Sequence, residues 1–213
     1  MTTLVLVRHA TTASTGKRLG GRTDAPLDDA GRQQAAAAAE RLSGLPVKAV
    51  YASPLPRTAE TAAIVAGPHG VDVTPWQGLL EVEYGDWTDR PLAPLTRTKR
   101  WPVIQQRPSL VRFPNGETIR QAQLRAVEAI EAIVARHRRD TVVAVSHADV
   151  IKAVVAFYLG QPLDLFQRLH VSPASATVLH LSPDGDMPML SRFNDDGPLR
   201  PPPAPATTRR RRG

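Results

Sequence analysis

Short apolar runs alternate with longer helical patterns along most of this 213-residue chain. Residues 3–7 read Thr-Leu-Val-Leu-Val, and such an unbroken run of β-branched residues and leucine is typical of a strand buried on both faces. Repeated strand–helix units predict a largely parallel sheet that helices cover on both sides. We therefore expect an α/β fold, a three-layer α/β/α sandwich around a mostly parallel mixed sheet.

The elements of this fold can be placed on the sequence. Strands are expected at residues 3–7, 47–52, 71–74 and 141–145, with a final hairpin at residues 177–181 and 189–193. Helices are expected at residues 30–42, 54–66, 117–137 and 150–158. The proline-rich stretch 76–113 is expected to be irregular, with a short helix near residues 96–106. Asp28 and Asp29 before the first helix, and Gly44 after it, are typical start and stop signals.

The C-terminal residues 195–213 differ in composition from the rest of the chain. They contain five arginines and five of the twenty prolines but only one large aliphatic residue, Leu199. Such a segment buries too little apolar surface to offset its ordering entropy, so we expect a disordered tail after a domain of residues 1–194. Residues 209–212 are all arginine and could contact RNA, but a solvated end is the favoured interpretation.

The absence of some residue types and motifs excludes several functions. Cysteine is absent, which excludes disulfides, thiolate catalysis and zinc sites built on cysteine. The longest uncharged apolar stretch, around residues 153–159, is too short to cross a bilayer, and the first residues lack the features of a secretory signal. We find no HExxH, Walker or Asp-rich metal-binding motif. These observations predict a cytoplasmic protein with no membrane partner, no metal and no cofactor.

Polar residues follow the ends of three predicted strands. Arg8 and His9 follow the first strand, Ser53 and Arg57 follow the second, and His147 follows the fourth. Because ligands bind at the carboxyl ends of strands in such sheets, we expect these side chains to meet at one edge. A single histidine is more often structural, and a single arginine is more often a surface charge. It is the convergence of these residues that indicates a functional site.

Phosphoryl transfer is the chemistry that this group of residues suits. Two guanidinium groups present paired donors that match phosphoryl oxygens, and a neutral imidazole can form a covalent intermediate. Flanking arginine charges are expected to lower the pKa of His9 and keep it unprotonated. His147 and the amides of the following helix would add hydrogen bonds to the same phosphoryl group.

A leaving alkoxide also needs a proton, and a carboxylic acid is the natural donor. Glu81 and Glu83 are the candidates from the irregular stretch, and a solvated loop position is the alternative for either. The residue types alone do not choose between the two glutamates. Lys17, Arg18 and Arg22 in the first loop either contact the anionic remainder of a substrate or face solvent.

Seven short stretches carry a resemblance to a known family. They read LVLVRHATT (4–12), GGRTDAPL (20–27), GRQQA (31–35), SPLPRTAETA (53–62), LEVEYGDW (80–87), PNGET (114–118) and VSHA (145–148). In content and order they resemble the histidine phosphatase superfamily, in its phosphoglycerate-mutase-like branch. The resemblance spans roughly residues 3–182. It implies a phosphoglycerate-mutase-like fold for the domain of residues 1–194.

The resemblance also implies roles for individual residues. His9 would become transiently phosphorylated, and Arg8, Arg57 and His147 would hold the phosphoryl group. Glu81 would be the proton donor, a choice that the residue types alone leave open. Positions at the substrate pocket would be occupied by Thr12, Thr15, Gly20, Gly21 and Ala148.

Three departures from the family pattern affect the expected pocket. Ala10 and Ala148 replace the glycines that follow the two histidines, so each adds a methyl group where the backbone approaches phosphate. These two changes resemble an actinobacterial group of phosphomutase-like and phosphatase-like proteins. Thr15 stands at the position where the family pattern has an asparagine. Because this chain has one residue fewer than the family pattern between Thr12 and Gly20, Ser14 could equally correspond to that asparagine.

Three functions are compatible with these features, each with a phosphorylated small molecule as the ligand. The favoured function is a metal-independent phosphomonoester hydrolase that acts through a phosphohistidine. The alternatives are a phosphoglycerate-type phosphomutase and a non-catalytic phospholigand-binding module. The chain lacks the longer insertion that glycolytic mutases carry before Asn115, and a shorter cap gives water more access, which favours hydrolysis. A homodimer is compatible with the sequence, and nucleic acid is not a favoured partner.

Overall fold

Eight strands and six helices lie within residues 1–198, the part of the chain that the computed structural model describes. Numbered in chain order, the strands are β1 Thr2–Arg8, β2 Arg18–Leu19, β3 Val47–Ala52, β4 Val73–Pro75, β5 Arg90–Pro91, β6 Thr141–Ser146, β7 Ala176–Leu181 and β8 Met189–Asp195. The helices are α1 Asp29–Leu42, α2 Pro56–Ala66, α3 Leu92–Leu95, α4 Trp101–Gln106, α5 Ile119–Arg136 and α6 Ala148–Tyr158.

Six of these strands form one sheet, in the order β4-β3-β6-β1-β7-β8. The first four run parallel, and β7 and β8 are each antiparallel to the preceding neighbour. The predicted mostly parallel mixed sheet with a final hairpin is confirmed. Strands β2 and β5 form a separate antiparallel pair. That pair was not predicted, because two residues are too few to show the alternation of a strand.

Helices cover both faces of the main sheet, so the predicted three-layer arrangement is also confirmed. Successive side chains of a strand point to opposite faces. In β1, Val5 and Val7 share a buried cluster with side chains of α1 and α2, whereas Leu4 and Leu6 share one with α5 and α6. All four of these side chains are at most 2% exposed. The apolar interior on both faces holds the carboxyl ends of the parallel strands in fixed register.

The N-termini of two helices show where the predicted boundaries hold. Asp28 caps α1, as predicted, because its carboxylate accepts a hydrogen bond of 2.7 Å from the amide of Gly31. The N-cap of α5 is Thr118, so the helix begins two residues after the predicted start at residue 117. Thr118 forms a reciprocal capping box with the glutamine three residues later, which satisfies two backbone amides at once.

The stretch predicted to be irregular contains α3, α4 and three short 3₁₀ turns, at Gln77–Leu79, Gly85–Trp87 and Pro108–Leu110. Helix α4 lies within the predicted helix of residues 96–106. At the other end of the fold, β8 ends at Asp195, where the tail was predicted to begin. Most of the predicted disordered tail, residues 199–213, lies outside the described residues. Within residues 1–198, no helix combines the length and the apolar character needed to span a membrane.

Candidate active site

Strands β1 and β6 bring two histidines together at the carboxyl edge of the sheet. In their parallel register Arg8 lies opposite Ser146, so the residues that follow, His9 and His147, are neighbours. The amide of His9 donates a hydrogen bond of 2.9 Å to the carbonyl oxygen of Ser146. The two imidazole rings meet edge to face, with their centroids 5.1 Å apart. The strand register alone thus places two imidazoles side by side.

The ring of His9 is held in one tautomer. Its Nδ1 lies 2.7 Å from the carbonyl oxygen of Ala10, and because a carbonyl can only accept, Nδ1 carries the proton. Nε2 therefore has a lone pair, which accepts a hydrogen bond of 3.3 Å from Nε of Arg57. Burial, and then the charges of Arg57 and Arg8, lower the pKa of His9 from 6.5 to about 3. The predicted direction is confirmed, although burial outweighs the arginine charges on which the prediction relied.

Arg57 lies in the first turn of α2 and is almost fully buried. Its Nη1 donates to the carbonyl oxygen of Thr23 at 2.9 Å, and its Nη2 donates to that of Gly21. The same Nη2 lies 3.2 Å from Nδ1 of His147. These contacts fix the plane of the guanidinium beside both imidazoles. Among the described residues no carboxylate pairs with Arg57, so an entering anion would meet an uncompensated positive charge.

Arg8 reaches the same region from the end of β1. Its Nη1 donates to the carbonyl oxygen of Val171 at 2.6 Å, whereas its buried Nε has no hydrogen-bond partner within residues 1–198. A buried donor without a partner costs about 1–3 kcal/mol, and an anion that reached this N–H would remove that cost. Burial lowers the pKa of Arg8, and the carboxylates of Glu81 and Asp149 oppose that shift.

His147 directly precedes α6 and is fully buried. Its Nε2 lies 3.0 Å from the hydroxyl oxygen of Ser53, and its Nδ1 faces Arg57, which can only donate. The tautomer that satisfies both contacts carries its proton on Nε2. Burial, followed by the proximity of His9 and Arg57, lowers the pKa of His147 well below 6.5, so this ring is neutral.

Of the two candidate glutamates, Glu81 lines the pocket at this edge and Glu83 does not. Glu81 is only 9% exposed, and its Oε2 lies 3.9 Å from Nδ1 of His147. Glu83 instead forms an ion pair of 3.1 Å with Arg22. The two glutamates that the residue types left as equal candidates are therefore distinguished by their positions.

Backbone contacts hold the segment that carries Glu81. The Nη1 of Arg125 donates to the carbonyl oxygens of Gly78 and Leu80, at 2.8 and 2.9 Å. The carboxylate of Glu117 in turn accepts a hydrogen bond of 2.8 Å from Nη2 of Arg125. Because these carbonyl groups lie within the three residues that precede Glu81, helix α5 holds the position of the glutamate through one arginine.

The pKa of Glu81 is shifted in the direction opposite to that of His9. Burial raises the pKa of Glu81 to about 7, and the charge of Asp149 adds to this shift, while Arg57 and Arg8 oppose it. A carboxyl group with such a pKa is protonated in a large fraction of molecules at neutral pH. Two titratable groups whose environments push their pKa values apart are typical of an acid and a base that act together.

An open pocket of about 260 Å³ lies between these groups. Four of the five predicted catalytic residues line it: Arg8, His9, Arg57 and Glu81. All five predicted substrate-binding residues also line it: Thr12, Thr15, Gly20, Gly21 and Ala148. Ser14, the alternative to Thr15, also lines the pocket. The hydroxyl oxygen of Thr12 lies 3.0 Å from that of Ser14 and 3.2 Å from that of Thr15. His147 lies behind the wall and contacts the pocket residues Arg57 and Glu81.

Some positions differ from expectation. Ala10 does not crowd the pocket, because its methyl group is fully buried in the apolar cluster beside α1 and α2. The expectation was wrong for Ala10, and only Ala148 adds a methyl group to the pocket wall. Tyr84 and Asp149 line the pocket but were not predicted. Asp149 comes only two residues after His147, and this spacing could have identified it as a candidate pocket residue.

Arginines supply the positive charge of this pocket. Arg57 is buried and Arg8 is half-buried at its wall, while a third lining arginine, Arg18, pairs with Asp89 at 2.6 Å. Across the described part of the chain, no group of three or more histidine, aspartate or glutamate side chains is arranged to hold a metal ion. An anionic ligand would therefore meet the two guanidinium groups of Arg8 and Arg57 beside two neutral imidazoles.

A family model described as the histidine phosphatase superfamily (branch 1) matches residues 4–196. The chain belongs to the histidine phosphatase superfamily. A relative of this histidine phosphatase, Phosphoserine phosphatase 1 of Hydrogenobacter thermophilus, is 30% identical over 187 residues, 85% of this chain and 87% of the relative. The probable phosphoglycerate mutase GpmB of Enterobacter sp. is 31% identical over 183 residues, 82% and 83% of the two chains. This histidine phosphatase is thus an enzyme. The resemblance of its sequence motifs to those of the histidine phosphatase superfamily is confirmed.

Solved structures of similar proteins share the fold. The mycobacterial glucosyl-3-phosphoglycerate phosphatase Rv2419c matches this histidine phosphatase with a TM-score of 0.82 at 26% identity, covering 91% of this chain and 98% of that one. The predicted phosphoglycerate-mutase-like fold is therefore confirmed. The chain spans about half the length, 51%, of the Bifunctional protein Rv2228c of Mycobacterium tuberculosis, with which it is 30% identical over 189 residues.

Proposed function

We propose that this enzyme hydrolyses phosphate monoesters of small molecules through a covalent phosphohistidine at Nε2 of His9. The observation that carries this proposal is the tautomer of His9. Its Nδ1 proton is used by the carbonyl of Ala10, so the lone pair is on the nitrogen that faces Arg57. A lone pair beside a guanidinium is well placed to attack a phosphoryl group that the guanidinium binds.

In the first step, Nε2 of His9 attacks phosphorus, so that an N–P bond forms and the ester P–O bond breaks. Arg8 and Arg57 stabilise the charge that spreads over the phosphoryl oxygens. Glu81 in its protonated form gives its proton to the leaving alkoxide, and the alcohol departs neutral. His147 positions Arg57 from behind. A direct hydrogen bond from its Nδ1 to the phosphoryl group would require the proton to be on Nδ1 instead of Nε2, with the hydroxyl of Ser53 donating to Nε2.

In the second step, the carboxylate of Glu81 removes a proton from water, and the water oxygen attacks phosphorus. The N–P bond breaks, its electron pair returns to Nε2 of His9, and inorganic phosphate leaves. Glu81 recovers in this step the proton that it lost in the first. Both groups are thereby returned to their starting states.

The segment between β4 and α5 favours hydrolysis of the phosphohistidine over the mutase reaction, in which the phosphoryl group is transferred back to a sugar acid. Its helices α3 and α4 have only four and six residues, and the pocket opens to solvent. Water therefore has access to a phosphohistidine. A phosphomutase is the second candidate function, and the observation that favours it is the similarity to GpmB. The two functions share the first step and differ only in the acceptor of the second.

Rapid-quench labelling with a phosphate-labelled p-nitrophenyl phosphate tests the proposed function. In the presence of EDTA, the wild-type enzyme should turn over and should carry acid-labile phosphate on His9 after quenching. His9→Ala should lose the label and at least about 10³-fold in turnover. His170→Ala, which removes an exposed histidine outside the pocket, should keep both.

Three outcomes would contradict the proposal or redirect it. Turnover that persists in His9→Ala, or label on another residue, would exclude His9 as the nucleophile. Loss of wild-type turnover in EDTA would contradict a metal-independent step. If phosphoglycerate isomers interconvert faster than phosphate is released, in the presence of a bisphosphate primer, the enzyme is a mutase.

We further propose that residues 1–194 are the catalytic domain. The family match ends at residue 196 and β8 ends at Asp195, so both support a boundary within two residues of 194. A chain truncated after residue 198 should keep the p-nitrophenyl phosphate turnover of the full chain. Loss of turnover in a folded truncated chain would show that the tail takes part in catalysis.

A further inference from the structure

A second compartment adjoins the pocket that is lined by His9, Arg8 and Arg57. It has a volume of about 190 Å³ and shares three lining residues with the first pocket: Leu19, Tyr84 and Asp149. Its remaining walls are mostly apolar and come largely from the segment around α4; they are Trp101, Ile104, Gln105, Phe113, Ile119 and Gln167. Since His9 and the arginines line only the first pocket, the compartment is where the alcohol part of a bound monoester would extend.

Asp149 is the charged residue at the junction of the two compartments. Its Oδ2 accepts a hydrogen bond of 3.0 Å from the hydroxyl of Tyr84, and its Oδ1 accepts one of 3.2 Å from Nζ of Lys152. Lys152 also donates to the side chain of Gln167 at 3.1 Å and is not a lining residue of the first pocket. A carboxylate has more acceptor sites than these two contacts use, so Asp149 can accept a further hydrogen bond from a ligand.

The two arginines of the first loop are already paired, and Lys17 does not line the pocket. Arg18 forms a two-point contact with Asp89, at 2.6 and 3.2 Å. Arg22 pairs with Glu83 and Glu117 and is absent from the pocket wall. Apart from the two guanidiniums assigned to the phosphoryl group, no unpaired lysine or arginine of residues 1–198 lines the pocket. A carboxylate on the alcohol part would therefore meet no further unpaired cation among the described lining residues.

We propose that Asp149 is a specificity-determining residue that selects monoesters whose alcohol carries a neutral or cationic group near the ester, and that disfavours a carboxylate there. This inference rests on the proposed function, because it concerns the alcohol part of the same monoester. Like charges brought together in a partly buried site repel, whereas an ammonium or hydroxyl group can donate to Asp149. The apolar walls beyond Asp149 suit an alcohol with an uncharged body.

A matched series of two-carbon monoesters tests the inference. Ethyl phosphate, phosphoethanolamine and phosphoglycolate differ in the group that ends the chain, which is methyl, aminomethyl and carboxylate. We expect kcat/KM of the wild type, measured by phosphate release, to be highest for phosphoethanolamine. It should be at least about tenfold lower for phosphoglycolate than for ethyl phosphate.

Substitution of Asp149 should reverse this preference. Asp149→Asn removes the negative charge and leaves the charge of Lys152 unbalanced, so the phosphoglycolate to ethyl phosphate ratio should rise about ten- to hundredfold. The phosphoethanolamine to ethyl phosphate ratio should fall. Asp184→Asn, the same change at an exposed aspartate of the last hairpin, should leave both ratios unchanged. Tyr84→Phe removes a hydroxyl donor from Asp149 and should strengthen the wild-type preference.

The outcomes separate this inference from the proposed function. If the enzyme hydrolyses p-nitrophenyl phosphate but prefers phosphoglycolate, or if the ratios do not move in Asp149→Asn, the role of Asp149 is wrong and the hydrolase stands. If Asp149→Asn does not fold, the wild-type series and Tyr84→Phe decide by the same ratios. If the wild type hydrolyses no monoester at all, the proposed function fails, and the inference fails with it.

Discussion

The Nδ1–H of His9 donates a hydrogen bond of 2.7 Å to the carbonyl oxygen of Ala10, the next residue in the chain. This contact needs no second side chain to orient the imidazole, because the backbone that follows β1 supplies the acceptor. It leaves Nε2 as the basic nitrogen. The proton that defines the nucleophile is therefore placed by the same turn that ends the strand.

Replacement of Arg57 by lysine should disable this arrangement without removing the positive charge. The guanidinium contacts Nε2 of His9, Nδ1 of His147 and the carbonyl oxygens of Gly21 and Thr23. A single ammonium cannot make all four contacts. We expect kcat/KM for p-nitrophenyl phosphate to fall about 10²–10⁴-fold in Arg57→Lys.

The matched control for that variant is Arg138→Lys, at an exposed position in an ion pair with Asp184. Its activity should equal that of the wild type. Thermal unfolding of both variants checks that they are folded. An Arg57→Lys enzyme that retains activity within a few-fold would show that charge alone, and not the planar contact set, is required.

Glu81→Gln should affect substrates according to their leaving groups. An alkoxide leaves poorly without a proton, so kcat/KM for ethyl phosphate should fall about 10²–10⁴-fold. Nitrophenolate is a stable anion that barely needs protonation, so kcat/KM for p-nitrophenyl phosphate should fall less than about tenfold. Glu83→Gln is the control, because Glu83 pairs with Arg22 away from the pocket. Equal losses on both substrates in Glu81→Gln would count against Glu81 as the acid.

The elements of the fold could be predicted where local pattern and tertiary packing agree. In β1 the run Leu4-Val5-Leu6-Val7 is apolar at every position because both faces are covered, and the sequence shows this directly. The pair β2–β5 has no such signal. It joins Arg18 to Pro91 and Leu19 to Arg90, residues far apart in sequence whose pairing depends on how the intervening chain closes.

The candidate site could be predicted in part for a similar reason. The rule that places ligands at strand ends identifies His9, Arg57 and His147 from the sequence, since each follows a strand closely. Asp149 and Tyr84 come from a helix and a loop that meet only in the folded chain. The pKa shifts depend mostly on burial, a quantity that the sequence does not give.

The pH dependence of the reaction should have one limb in the neutral range. Glu81, with its pKa raised to about 7, is protonated below that pH and loses the proton above it. His9, with its pKa lowered to about 3, is already neutral above pH 4. We therefore expect kcat/KM for ethyl phosphate to fall about tenfold per pH unit above pH 7. Between pH 7 and pH 5 the protonation of His9 should cause no loss of kcat/KM.

A pH–rate series from pH 4.5 to 9 measures this limb, after correction for the ionisation of the substrate phosphate, whose second pKa is about 6. The limb should be absent in Glu81→Gln, which has no carboxyl group to titrate. It should also be weaker with p-nitrophenyl phosphate. A limb of equal steepness in Glu81→Gln would assign the titration to another group.

Gly31 packs closely against the backbone of Thr11, and this contact leads to a prediction about stability. A Cβ atom at Gly31 would lie 2.2 Å from the carbonyl oxygen of Thr11, a backbone atom that cannot rotate away. We expect Gly31→Ala to lower the free energy of unfolding by about 1–3 kcal/mol, despite the higher helix propensity of alanine. Gly44→Ala, where a Cβ would meet no atom within 4 Å, should change it by less than about 0.5 kcal/mol. Urea denaturation of both variants measures the difference, and equal midpoints would mean that the loop shifts freely to accept the methyl group.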